Sequence, residues 1–123
     1  MRNAIQTLLK RNSLLYTQFS EVYSSNEDYL DYVERLLSSL LRANFLGLDE
    51  KICEVSDLAK FDSFRSELEI AALLVGKGKR GEFLSDSYMG PNTPSPDLRV
   101  VNRLQCYIEV TKLTIERSSI IIL

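Results

Sequence analysis

Two hydrophobic periods divide the chain. In its first part apolar residues recur at steps of three and four, and beyond Gly81 they alternate with polar ones or cluster in β-rich runs. Over residues 2–23, Ile5, Leu8, Leu9, Leu15, Phe19 and Val22 keep a loose helical spacing, with a break expected at Asn12-Ser13. Ser24-Ser25-Asn26 is a stop. Asn26 is placed to cap the next helix, with Glu27 and Asp28 in its first turn. Leu30, Val33, Leu36, Leu37, Leu40 and Leu41 then predict an amphipathic helix over residues 27–44. Phe45-Leu46-Gly47 closes it, Gly47 being suited to a left-handed end. Ser56 or Asp57 can start a short helical turn. A better-marked helix is expected from Asp62 or Ser63, carrying Phe64, Leu68, Ala71, Ala72 and Leu74-Val75. It ends at Gly76-Lys77-Gly78-Lys79-Arg80-Gly81, where the glycines oppose further helix.

Residues 82–87 predict a strand, and 89–96 a loop that holds all three prolines. A second strand is expected at 97–101, a tight hairpin turn at Asn102-Arg103, and a third strand at 104–113. Ile120-Ile121-Ile122-Leu123 can form one more short strand. The fold class is therefore α/β (α+β), with a helical N-terminal half followed by an α-β-β-β core. The division expected is 1–60 for the helical region and 61–123 for the core, packed as one unit.

Composition narrows the class. With 45% hydrophobic and 26% charged residues, the chain reads as a soluble globular protein rather than a disordered one. Its longest apolar run falls far short of the ~20 residues of a membrane-spanning helix. No apolar segment with a small-residue cleavage site follows Arg2 and Lys10, so the expectation is a cytoplasmic protein without membrane attachment. The formal net charge of −2 means that nucleic-acid binding would need positive charge gathered on one face. Lys77, Lys79 and Arg80, then Arg99 and Arg103, are the residues available for that, although a three-charge cluster by itself reads as a solvated turn.

The chain has no histidine, which excludes Ser-His-Asp and Cys-His catalysis and zinc sites of the Cys/His type. Cys53 and Cys106 have no CxxC partner, and Cys106 reads as a small buried hydrophobe. Chemistry must then come from carboxylates, lysines, hydroxyls and a hard metal ion. Asp97 at the start of one strand and Glu109 within its hairpin partner can share a sheet face. Carboxylates that close repel each other, and a cation relieves the repulsion. Magnesium suits such a pair, because it takes one or two carboxylates together with waters and phosphate oxygens. Glu109, between Ile108 and Val110, is the more informative of the two, since glutamate is disfavoured within strands. The plainer readings are a turn-end acid for Pro96-Asp97, an edge charge for Glu109, and helix-surface carboxylates for Glu67 and Glu69. By strand parity Tyr107, Glu109 and Thr111 point one way, and Ile108, Val110 and Lys112 the other.

Taken together, Ser66-Glu67-Leu68-Glu69, Gly78, Pro96-Asp97-Leu98-Arg99-Val100 and Tyr107-Ile108-Glu109-Val110-Thr111-Lys112 resemble the PD-(D/E)xK nuclease superfamily. Restriction-endonuclease-like domains and archaeal Holliday-junction resolvases are the nearest in pattern, over residues 61–113; residues 1–60 have no counterpart. The resemblance implies a metal-dependent endonuclease, a hydrolase of DNA phosphodiesters. It implies a magnesium or manganese site of Glu67, Asp97 and Glu109, and a catalytic set that adds Lys112. It also implies DNA contacts from Lys77, Lys79, Arg80 and Arg99.

One position departs from the pattern. The lysine two residues after the strand acid is Thr111 here, and Lys112 stands one residue later. Either a bulge brings Lys112 round, or Lys77 or Lys79 substitutes, or the site binds without cutting. The alternative function is thus a catalytically degenerate, nuclease-fold binding module. A third reading is a helical protein whose strands stabilise an oligomer. After the third strand the resemblance implies a further helix and strand, for which residues 114–123 are too few. The core is therefore expected to be abbreviated, its open face covered by the N-terminal helices and its edge by a second copy in a homodimer, or else to come from a truncated product.

Overall fold

Polar side chains set the helix boundaries in the computed structural model, which describes residues 3–85, 88–90, 96–101, 106–112 and 118–122, with backbone alone from 111 on. Helices α1 (Asn3–Leu9) and α2 (Ser13–Tyr23) part at Asn12, whose side chain accepts the Leu15 amide at 3.3 Å. Its amide nitrogen donates to the carbonyls of Ile52 and Val55 at 3.0 and 2.6 Å. Asn26 caps α3 (Glu27–Arg42) through the Tyr29 amide at 3.2 Å. The residue that closes α3 is Asn44, left-handed at φ 53°; Gly47 is left-handed as well but does not close that helix. Gly47, at φ 79°, instead opens a helix with no clear signal in the sequence, α4 (Leu48–Glu54). A Cβ on Gly47 would run into the Phe83 carbonyl, so glycine is required there on two counts.

Asp57 accepts the Lys60 amide at 2.9 Å and starts α5 (Leu58–Gly76). This is one continuous helix from Leu58 rather than a turn followed by a helix from residue 62. The expected division at 60/61 therefore falls inside it. Phe61, Phe64, Leu68 and Ala71 bury the same side of α5, and that packing carries the helix through its weakly patterned start.

Four strands follow: β1 (Arg80–Phe83), β2 (Leu98–Val101), β3 (Cys106–Lys112) and β4 (Ser118–Ile122), an antiparallel meander in that order. β1 begins earlier than expected and includes Gly81, over which the Phe45 ring lies close enough to exclude a Cβ. Leu46 bridges the outer edge of β1: its amide donates to Gly81 at 3.0 Å, and its carbonyl accepts from Phe83 at 2.8 Å. β4 pairs along the outer edge of β3, so the edge expected to recruit a second copy is occupied within the chain. The turn expected at Asn102-Arg103 lies outside the described residues.

The chain is thus α+β, a layer of helices against one face of a small antiparallel sheet. α5 packs on β1 and β3, while α2 and α3 pack on α5, and α1 on α3. Phe83, Leu98, Val100 and Ile108 point into a common core with Phe19, Phe61, Ile5 and Leu37. Alternation sends Glu82, Arg99, Tyr107 and Glu109 to the other face. The N-terminal helices join α5 and the sheet in one core. Among the described residues no helix is long and apolar enough to cross a membrane.

Candidate functional site

Pro96 is buried, and Asp97 stands at the mouth of β2. The Asp97 amide donates to the Ile108 carbonyl at 2.9 Å, and its carbonyl accepts from Leu84 at 3.0 Å. Its carboxylate oxygen Oδ2 accepts the Val110 amide at 2.7 Å. A side chain thus takes the place of a backbone acceptor where the ladder slips, in a short, charge-assisted hydrogen bond. The register of β2 on β3 ends at the Leu98–Ile108 pair, and the Asp97 amide also bonds to Ile108, so the ladder is irregular at Asp97. The two bonds from Asp97 to β3 go to the residues on either side of Glu109. A turn at Asn102-Arg103 would have paired Asp97 with residue 108; the Asp97 amide bonds to Ile108, while Leu98 takes that residue in the strand register.

Glu109 is exposed on β3, whereas Ile108 beside it is buried. Asp97 and Glu109 as a pair match a magnesium ion held by one or two carboxylates with waters and phosphate completing the octahedron. Glu67 is placed differently. It belongs to α5, on the helical side of the sheet, and lines a cavity of about 180 Å³ with Lys51, Glu54, Val55, Lys60, Ser63 and Phe64. Among the described residues no three acidic or cysteine side chains stand close enough to hold a metal ion between them.

The expected cations are spread out. Lys77, Lys79 and Arg80 are exposed where α5 passes into β1. Lys77 caps the C-terminus of α5, a placement favoured by the helix dipole. Arg80 pairs with Val101, so this cluster sits at the end of β2 away from Asp97, roughly 13 Å along the strand. Arg99 lies on the far face, and its Nη2 is 2.6 Å from Glu82 Oε1, which matches its charge locally. Beside it the Tyr88 and Tyr107 rings are 6.3 Å apart, and the hydrogen bond between their hydroxyls raises the Tyr88 phenol above its usual pKa. Thr111 and Lys112 pair by backbone with Ser119 and Ser118 in β4; their side chains lie outside the described residues.

The sequence reading passed over Lys51. It is only 6% exposed, and its Nζ donates to the Leu84 carbonyl at 3.0 Å. The Leu84 amide in turn reaches Asp97, so this ammonium stands one strand rung from the Asp97 backbone. The signal available was a lysine between Leu48 and Ile52, at a spacing that makes sense only once α4 is seen to be helical. Comparison with protein-family models, characterised proteins and solved structures returned no match.

Proposed function

We propose that the chain is a metal-dependent, nuclease-like protein with a restriction-endonuclease-type αβββ core, acting on DNA phosphodiesters at the Asp97 end of its sheet. The observation that carries this reading is that Asp97 bonds to Ile108 and Val110, the residues on either side of Glu109. The order α5-β1-β2-β3, with an acid opening β2 and another within β3, supports it. Asp97 and Glu109 would hold a magnesium or manganese ion, which when bound polarises a phosphoryl oxygen and lowers the pKa of a water. The Val110 amide keeps the Asp97 carboxylate aimed along β3, and β3 holds Glu109 on a rigid strand. Such fixed groups require little reorganisation when charge develops on a phosphate. Glu67 would act from the neighbouring cavity.

The binding-module reading is favoured by the same Val110 bond, because a carboxylate that closes the sheet has a structural reason to be there. A supercoiled-plasmid cleavage assay with magnesium or manganese separates the two. Asp97→Asn keeps an oxygen for the Val110 amide while removing the charge, and Glu109→Gln does likewise on β3. The expected outcome is metal-dependent nicking by the parent protein that falls about 100-fold or more in each variant, with unchanged circular dichroism. A parent protein that cuts no duplex, single-stranded or branched DNA removes the enzyme reading and leaves binding. Among the described residues nothing pairs with the outer edge of β4, and a homodimer joined there is the proposed assembly. Sedimentation equilibrium at micromolar concentration showing a monomer removes it.

A further inference from the structure

We propose that the surface around Leu46 docks a segment of a partner protein that carries two leucine-like side chains and a lysine or arginine. The two apolar side chains sit on either side of Leu46, and the cation meets Glu50. The inference stands apart from the nuclease-like reading and uses none of its site residues.

Leu46 is 53% exposed, although Phe45 and Leu48, close to it in the chain, are buried. A single exposed leucine is ordinary, but this one is held in place. Its amide donates to the Gly81 carbonyl and its carbonyl accepts from the Phe83 amide, which fixes its backbone against the outer edge of β1. Gly47, left-handed and close against the Phe83 carbonyl, fixes the turn that follows. Leu46 is therefore a ridge on an ordered backbone, and an occupant has little of this surface to order when it binds.

A hollow lies on each side of the ridge. One, of about 270 Å³, has Leu41 and Phe45 in its wall; the other, of about 450 Å³, has Phe83, Leu84 and Tyr88. Both exceed the ~150 Å³ of a cavity that takes a benzene-sized ligand. Leu41 and Tyr88 are themselves partly exposed. With Leu46 they make a run of accessible apolar surface from the end of α3 to the outer edge of β1, the kind of patch that marks a contact with another molecule.

Charge selects the occupant. The charged side chains that line the two hollows are Asp49, Glu50 and Glu82, all of them acids. Asp49 is shared with Arg11 at 3.4 Å, and Glu82 with Arg99 at 2.6 Å. Glu50 is exposed, lines both hollows, and makes no ion pair among the described residues. Lys51, the next residue, is turned inward onto the Leu84 carbonyl, so its ammonium is not part of this surface. A cation between the two apolar anchors thus finds a carboxylate, whereas an acidic residue there meets like charge, which suppresses the wrong partner.

The test titrates the full chain into short fluorescein-labelled peptides in which two leucines flank an arginine, at extended and at helical spacings, and follows anisotropy. Matched peptides carry glutamate in place of the arginine, or serine in place of the leucines. The arginine peptides are expected to bind about tenfold or more tightly than either counterpart. Their affinity should fall about tenfold in Leu46→Ser and about threefold in Glu50→Gln, with the charge preference reversed in Glu50→Lys. Leu14→Ser, at a leucine of α2 that is 58% exposed, should leave binding unchanged. A parent protein that binds none of the arginine peptides at millimolar concentration, or binds arginine and glutamate peptides alike, overturns the proposal. So does parent-like affinity in both Leu46→Ser and Glu50→Lys. Should Leu46→Ser alter the circular dichroism, Glu50→Lys decides alone. A parent dimer that becomes a monomer in Leu46→Ser puts a second copy on this face and also overturns it. None of these outcomes touches metal-dependent cleavage, which is measured separately on the same variants and is expected to be unchanged.

Discussion

The helical layer and the Asp97 end of the sheet use their polar groups for different ends. In the helices, polar side chains close local hydrogen-bond accounts: Asn12, Asn26 and Asp57 cap the helices that follow them. Glu34, from α3, receives the Ala4 and Ile5 amides of α1 at 3.0 Å each. Inside these caps lies an aromatic cluster in which Phe19 meets Phe61 edge-on at 5.5 Å and Tyr23 stacks near Tyr29 at 4.2 Å. At the sheet end Asp97 holds the Val110 amide and Lys51 the Leu84 carbonyl, while Glu109 lies exposed on β3. One region uses polar side chains to end helices and the other to end a strand, a contrast that experiment can break.

The largest expected effect is in the helical layer. Phe19→Ala should cost about 3–5 kcal/mol by urea denaturation, since it empties the centre of the aromatic cluster. Asp97→Asn, which spares the Val110 bond, should leave the urea midpoint much closer to that of the parent protein. If the two variants lose comparable stability, the separation of roles fails. Next comes Glu34→Ala, which strips two amides at the start of α1 of their acceptor. A loss of about 1–2 kcal/mol is expected. Glu34 is remote from the sheet end, so its loss should leave DNA affinity unchanged, and a change would show that the layer reaches the site.

The smallest effect is a pH dependence. Burial, and then the neighbouring Tyr23, pushes the Tyr29 phenol up to about 12; burial, and then the bond to Glu69, does the same for Tyr32. Both pKa values are raised on folding, so the unfolded chain releases these protons first as pH rises. Their contribution is complete below pH 10 and is lost between about 10 and 12. Urea midpoints across that range should fall, and less steeply in Tyr29→Phe. A midpoint flat up to pH 12 would contradict the burial of the cluster.

How much of this was legible in the chain differs by element. The α3 stripe and its Asn26 cap could be read directly, because local spacing and one side chain determine them. The breaks at Asn12 and near Gly76 were equally plain. α4 and the first turn of α5 could not be read, since their helicity depends on contacts with residues remote in sequence. Asp97 and Glu109 were both visible as strand acids. The bonds that tie Asp97 to Ile108 and Val110 were not, because they depend on how β2 and β3 meet. The burial of Lys51 was invisible too: a lysine in a short, weakly patterned segment carries no local mark of it.

By itself, then, the sequence determined the helix-then-strand order, the core faces of α3, β2 and β3, and the exclusion of histidine chemistry. Period and residue type are properties of neighbours along the chain, and these features need nothing more. Only the tertiary structure decided that the N-terminal helices join the layer of α5, that β4 takes the outer edge of β3, and that Lys51 and Asp97 meet through Leu84. Each of these is a contact between distant segments. Which distant segments meet is settled by how apolar faces are jointly buried, and no single segment encodes that.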